Sequence, residues 1–404
     1  MNRLSLPISA LVLLATTLSA ETPSAPRLAG INDAAAFLAG EALPNESEHP
    51  LALTDAWRTH SAQFGKTFDG HLERVLAPMS EWSGTEVGPV TGPGATVRYL
   101  FSGPDILHAF HMFPTADSFV LCGLEPVGRA PEMDSLNEGN AARALAEVRK
   151  ALDLIVQISF FRTKDMKEDL QSAMFPGTTP LMLVFLAKSG QYIDEIEFFQ
   201  LQKDGTLAGQ GLEATNANGV RIVFSPRRLD QPKTLHYFSC DLSNGGFDPT
   251  GFGAWIAGQP KGAAYLKAAS FLMHNDWFSK VRDHLLESSY LVVQDDSGIP
   301  FRRFDPELWS ATLYGVYTGP IDLFKDSYQR DLASAYQTES QPLPFGTGYK
   351  WRKGESNLMR FVRQDHEAPV PAPTTSETEA TQKAGAESTE PPGPAPDAAA
   401  NGEN

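Results

Sequence analysis

Asp105, His108 and His111 follow one another at three-residue intervals. If Pro104 opens a short helix, their side chains lie near one face, and a carboxylate with two imidazoles is a ligand set for a divalent metal. The spacing is looser than the i, i+4 pair of an H-E-x-x-H helix, and no acid sits between the histidines to act as a base. A loop whose histidines pack against Phe110, Met112 and Phe113 accounts for the same residues. Asp295 and Asp296, followed by Ser297 and Gly298, offer paired carboxylates for acid–base work or for calcium. Adjacent residues on a strand point to opposite faces, so the two acids do not easily share one proton. Asp-Asp-Ser-Gly is also ordinary hairpin-turn chemistry.

Three further sets of residues bear on chemistry. His274, Asp276, Asp283 and His284 fall in one stretch read as helical, with His236 on a strand. With Ser239 or Ser289 as nucleophile they would make a triad, with His274 beside Asp295 and Asp296 as catalytic candidates, but no G-x-S-x-G segment marks a nucleophile elbow. Gly65-Lys66-Thr67 has His60 where a P-loop needs its first glycine, and Gly209-Gln210-Gly211 has Ala214 in place of the third glycine of a dinucleotide fingerprint. Tyr314, Tyr317, Tyr349 and Trp351 belong to a C-terminal stretch rich in aromatics with polar tips, which suits a sugar or peptide cleft and equally suits a core with its rim. Cys122 and Cys240 lie in apolar strands; they bridge if they meet in an oxidising compartment, and otherwise stay as buried thiols.

The chain that must position these groups has 404 residues, is 42% hydrophobic and carries a net charge of −16, so it can build a large core but offers no cationic face for nucleic acid or anionic lipid. Two cysteines exclude a multi-thiolate zinc or iron–sulfur site. Residues 1–20 have the layout of a secretory signal peptide: Arg3, an uncharged apolar run from Leu4 to Leu18, then small residues ending at Ala20. That run is shorter than a spanning helix needs, so no transmembrane anchor is expected. Residues 366–404 are rich in Pro, Ala, Thr and Glu, hold seven acids against Lys383, and lack aromatics, so an acidic disordered tail is expected.

Between the ends we expect an α+β fold. Residues 21–50 read as a linker or surface strap, and 51–95 as an N-terminal helical segment capped by Thr54, helical from Ala56 to Trp82 with breaks at Gly65 and Gly70. Val97-Arg98 through Phe101-Ser102 matches Val220-Arg221 through Phe224-Ser225; Ser159-Phe160 matches Ser270-Phe271; Ser189-Gly190 matches Ser297-Gly298. These matches suggest two pseudo-repeated strand-helix-strand lobes, 96–212 and 213–365. In the first, Ala141, Leu145, Val148, Leu152 and Ile155 recur at helical spacing, and strand pairs turn at each Ser-Gly (Leu181–Ala187 with Tyr192–Leu201; Tyr290–Val293 with Ile299–Phe304). Pro320 would start a closing helix with Ile321, Phe324, Tyr328, Leu332 and Ala335 on one stripe, before an irregular aromatic strap from Pro342 to Trp351.

The stretches Phe101-Ser-Gly-Pro-Asp105, Gly123-Leu-Glu-Pro-Val-Gly128, Asp295-Asp-Ser-Gly-Ile-Pro300 and Gly315-Val-Tyr-Thr-Gly-Pro-Ile321, with Tyr328-Gln-Arg-Asp-Leu332, resemble a family of exported bacterial proteins with no assigned activity. The resemblance spans about Thr96 to Trp351 and implies export in a Gram-negative-type cell; it assigns no catalytic residue. The expectation is a periplasmic or secreted protein that binds a small molecule, a glycan or an envelope protein without catalysis. No cofactor is required by this reading. The alternative is a periplasmic metal-dependent hydrolase built on Asp105, His108 and His111, or on Asp295 and Asp296 with a metal.

Overall fold

The computed structural model describes residues 23–46, 48–158, 177–226 and 231–367, with backbone only for 151–158. The expected signal peptide, the Ser159-Phe160 match and the tail beyond 367 lie outside the described residues. In chain order, helices α1 (Ala25–Leu38), α2 (Asp55–His71), α3 (Ala77–Glu86) and α4 (Gly88–Thr91) precede strand β1 (Thr96–Tyr99). Then come α5 (Ile106–Met112), β2 (Ser118–Gly123), α6 (Glu138–Ile158) and α7 (Thr179–Lys188). Strands β3 (Tyr192–Leu201), β4 (Leu207–Gln210), β5 (Gly219–Ser225) and β6 (Lys233–Ser239) follow. After α8 (Phe252–Ala257) and β7 (Gly262–Leu266) come α9 (Ser279–Ser288), β8 (Ser289–Gln294) and β9 (Trp309–Gly315), then α10 (Arg330–Thr338) and β10 (Asn357–Arg363).

The ten strands of the described residues form one mixed sheet in the order β4-β3-β5-β6-β2-β1-β7-β8-β10-β9. The middle five, β6, β2, β1, β7 and β8, are parallel, and the outer pairings are antiparallel. Strands buried on both faces are apolar throughout rather than alternating; β7, Gly-Ala-Ala-Tyr-Leu, is buried at every position. One face packs on α1, α2, α3, α5, α6 and α7 through residues such as Phe37, Phe64, Leu107 and Phe185. The other packs on α8, α9 and α10 through Phe252, Ile256, Val281, Leu285 and Leu332.

The single sheet replaces the expected pair of lobes, and the topology does not reproduce the proposed repeat. Strand β1 lies between two parallel neighbours, whereas β5, its supposed counterpart, lies between two antiparallel ones. The Ser-Gly matches also differ. Leu181–Ala187 is not a strand but the body of α7, which opens on Pro180 and is buried on all sides, so its apolar run shows no period to distinguish helix from strand. Gly190, at φ 71°, ends α7 in the left-handed conformation, with Gly190 N bonding Ala187 O and Gln191 N bonding Leu186 O, the Schellman arrangement. Ser297-Gly298 instead turns the chain after β8, and Phe301–Arg303 is a 3-10 turn rather than a strand.

Other expectations change in the same way. Residues 25–38 form a helix whose second half, Ile31 to Leu38, is buried, so this part is no surface strap. Helix α2 begins at Thr54, whose Oγ1 accepts from Trp57 N at 3.2 Å, and it runs through Gly65 and Gly70 without a break. It widens into a π turn at Leu72–Leu76 ahead of Pro78 in α3, where proline lacks an N–H and crowds the carbonyl four residues back. The closing helix is split: a 3-10 segment, Asp322–Ser327, is followed by extended Tyr328, and α10 starts only at Arg330. The strap from Pro342 to Trp351 is irregular as expected, anchored by buried Leu343 and Phe345.

Candidate functional site

The carboxyl ends of β1, β2, β7 and β8 all open on one edge of the sheet, the place where parallel α/β sheets bind ligands. Asp105 follows β1 and caps α5, its Oδ1 accepting from His108 N at 3.2 Å and from His108 Nδ1 at 2.7 Å. Its Oδ2 accepts from Tyr99 Oη and from Lys267 Nζ, each at 3.1 Å. His71, from the last turn of α2, lies 3.3 Å from His108 between the two Nε2 atoms. With Nδ1 of His108 donating to Asp105, its Nε2 accepts from His71. Asp105, His108 and Lys267 are all sealed from solvent.

Burial works against the charge on Asp105, but His108 and the Lys267 ammonium outweigh it and hold the carboxyl well below its ordinary range. Burial pushes His108 and His71 down. The network is therefore an Asp105–Lys267 ion pair flanked by two neutral imidazoles, closed to substrate. His111 does not join it: its Nδ1 faces Ser80 Oγ at 3.0 Å on α3. Among the described residues no three His, Cys, Asp or Glu side chains gather where they could hold a metal ion. Asp105 and His108 thus form a hydrogen-bonded pair, while His111 faces Ser80.

Asp295 and Asp296 are buried just past β8 and point to different partners. Asp295 Oδ1 accepts from Ser297 N at 2.9 Å and from Ser297 Oγ, and its Oδ2 accepts from Ala268 N at 3.2 Å. Asp296 Oδ1 accepts from Asn357 Nδ2 at 3.0 Å. Burial raises both carboxyls. The turn expected at Asp-Asp-Ser-Gly is present, with Gly298 N bonding Asp295 O at 3.1 Å, but it does not close a hairpin, because β8 pairs with β7 and β10.

Two openings flank this edge. The larger, about 660 Å³, is lined by Phe271, His274, Arg302, Phe324, Tyr328 and Arg330 among others. The smaller, about 120 Å³, is apolar and lies over the ends of β1, β2 and β6, lined by Phe101, Cys122, Glu125, Cys240, Leu242 and Phe278. Leu272 borders both, and its side chain is exposed. Cys122 and Cys240 are free buried thiols; burial, with Cys240 alongside, pushes the Cys122 thiol up.

The other sequence candidates separate. His274 borders the large cleft, its pKa lowered to about 4 by burial. It does not share a helix with Asp283 and His284, since two 3-10 segments, Ala268–His274 and Asp276–Phe278, precede α9. His236 packs among Phe199, Phe238 and Trp255. Tyr314 is core, edge-on to Trp82 at 4.9 Å with its hydroxyl on Glu86. Tyr317 accepts from Gln329 N at 2.9 Å and stacks on Tyr328, 5.8 Å between centroids, so it backs the cleft wall. Tyr349 packs near Phe324, and Trp351 is partly exposed under Arg352. Sequence reasoning missed His71 and Lys267; the usable signal for Lys267 is a lone charge ending the apolar run Gly262–Leu266. The chain matches no protein-family model, no curated protein and no solved structure.

Proposed function

We propose that this is an exported protein that binds an oligosaccharide-sized ligand, a cell-wall glycan fragment being the candidate, in the large cleft at the carboxyl edge of the sheet, without catalysing a reaction. The observation that carries this reading is the composition of that cleft. Its lining combines the aromatic side chains of Phe271, Phe301, Phe324 and Tyr328 with polar groups such as Arg302 and Arg330. Apolar ring faces beside planar hydrogen-bonding groups suit a sugar, which presents both kinds of surface. Non-catalytic binding is favoured because the acid–base network around Asp105 is shut inside the core, and because His111 stands apart from Asp105 and His108. Among the described residues no helix is long and apolar enough to cross a membrane.

The test is a thermal shift and calorimetric titration of the full chain with purified cell-wall oligosaccharides. Binding is expected, and Tyr328→Ala and Arg330→Ala should each weaken it by about 5- to 30-fold, the range of one lost aromatic or charged contact. No shift with any fragment, or binding indifferent to both substitutions, overturns the assignment.

A further inference from the structure

Asp296 and Asn357 meet where β8 ends and β10 begins. Asn357 Nδ2 donates to Asp296 Oδ1 at 3.0 Å. The remaining oxygens of the same two groups, Asp296 Oδ2 and Asn357 Oδ1, are buried and find no donor among the described residues. Both residues are almost fully enclosed, 8% and 1% exposed. Two orphaned acceptors on a pair already joined by one hydrogen bond are costly, since each has lost its water without replacement. One proton satisfies both, because a carboxylic acid and an amide can close a ring of two hydrogen bonds.

We propose that Asp296 is a neutral carboxylic acid in the folded protein, donating from Oδ2 to Asn357 Oδ1 while Asn357 donates back to Oδ1, and that this pair is a pH-sensitive latch behind the large cleft. The surroundings favour the proton. Asp295 is adjacent on the same turn, and Tyr317 from beyond β9 and Tyr336 from α10 feel the Asp296 charge. His274 reaches the turn through the Asp296 and Gly298 backbone. The cations are Lys350 on the strap, already held by Thr318 and Gly319, and Lys267, committed to Asp105. Burial first, and Asp295 second, push the Asp296 carboxyl up to about 7 against the opposing pull of Asn357 and Lys350.

The latch reaches the cleft through Gln329. Its Nε2 donates to Asp296 O at 3.0 Å, and its Oε1 accepts from Phe301 N at 2.7 Å; both Gln329 and Phe301 line the opening. Ionising Asp296 places a second buried negative charge beside Asp295 at the root of this connection. Control of ligand binding rests on the reading of the cleft given above, whereas the shared proton does not.

Asp296→Asn substitutes an amide that can make the same two hydrogen bonds without titrating. Denaturant unfolding of the full chain and of this variant is compared from about pH 4 to pH 9, with chelator and again with millimolar calcium. The folded acid keeps its proton where the unfolded one has lost it. The ratio of unfolding equilibrium constants, native sequence over variant, should therefore grow about tenfold per pH unit between about pH 4 and 7 and be level above. A ratio independent of pH overturns the proposal. So does calcium stabilising the native sequence but not the variant, which would make the orphaned oxygens cation ligands. Should the variant not fold, infrared spectra of the ¹³C-aspartate-labelled native chain and of Asn357→Leu decide. A protonated-carboxyl band near pH 6 that fades around pH 7 and shifts in Asn357→Leu supports the latch, and a spectrum without that band overturns it.

Discussion

At the scale of single residues, the strongest demand on the fold is made by Lys267. Its ammonium is fully buried and pairs with the Asp105 carboxylate at 3.1 Å. Taking one partner from such a pair leaves the other charge in a medium that cannot solvate it. Lys267→Met should therefore cost about 3–5 kcal/mol, measured by denaturant unfolding. Lys267→Met with Asp105→Asn should recover part of that loss, a coupling a double-mutant cycle resolves. Additive costs would mean that the ion pair is not the interaction being removed. The network was half legible beforehand. Asp105 and His108 sit three residues apart and reveal themselves as a pair, whereas His71 and Lys267 reach the same spot only after α2 and β7 have been placed. Asp295 and Asp296 are neighbours in the sequence, but the hydrogen-bond partner of Asp296, Asn357, lies 61 residues away.

Among the elements, β1 and β7 are the parallel pair around which the edge is organised, and they approach so closely that Gly262 has no room for a side chain. A Cβ there would stand 2.2 Å from the Thr96 carbonyl oxygen, which is backbone and cannot swing aside. Gly262→Ala should cost about 1–3 kcal/mol, the usual penalty of overpacking. It should also lower hydrogen-exchange protection in β1 and β7 ahead of the outer strands β3 and β4. Protection lost first in β3 and β4 would show that the parallel centre is not what the glycine serves. The same elements explain what periodicity can convey. Helix α6 has one face on the core, and its apolar residues announce a period of 3.6. Helix α7 is enclosed by α1, α5 and β3, so its sequence is apolar throughout and reads equally as a buried strand. In the closing segment, Ile321 to Ala335 carries a helical stripe. Yet Phe324 leaves helical geometry and stacks on Phe271 at 4.4 Å, and extended Tyr328 and Gln329 separate this segment from α10.

On the scale of the whole molecule, one sheet with helices on both faces buries far more histidine than an exposed surface would. Burial lowers His60, His111, His236, His274 and His284 to about 4 and depresses His71 and His108 as well. Each is neutral in the fold and takes up a proton once unfolded, so its contribution is present above pH 6.5 and is lost as pH falls toward 4. Asp295 and Asp296, whose carboxyls burial raises, act with the opposite sign over part of this window. Seven depressed histidines outweigh two raised carboxyls, so unfolding near pH 5.5 should take up about 3–5 protons net. Stability should fall steeply on mild acidification, well before the ordinary carboxylate range is reached. Unfolding free energies at a series of pH values, differentiated with respect to pH, give that number directly. A slope near zero or of opposite sign between pH 6.5 and 4.5 would mean that the histidines are solvated in the folded chain. Such a result would contradict the close packing of His60 against Phe64 and of His236 against Trp255 on opposite sides of the sheet.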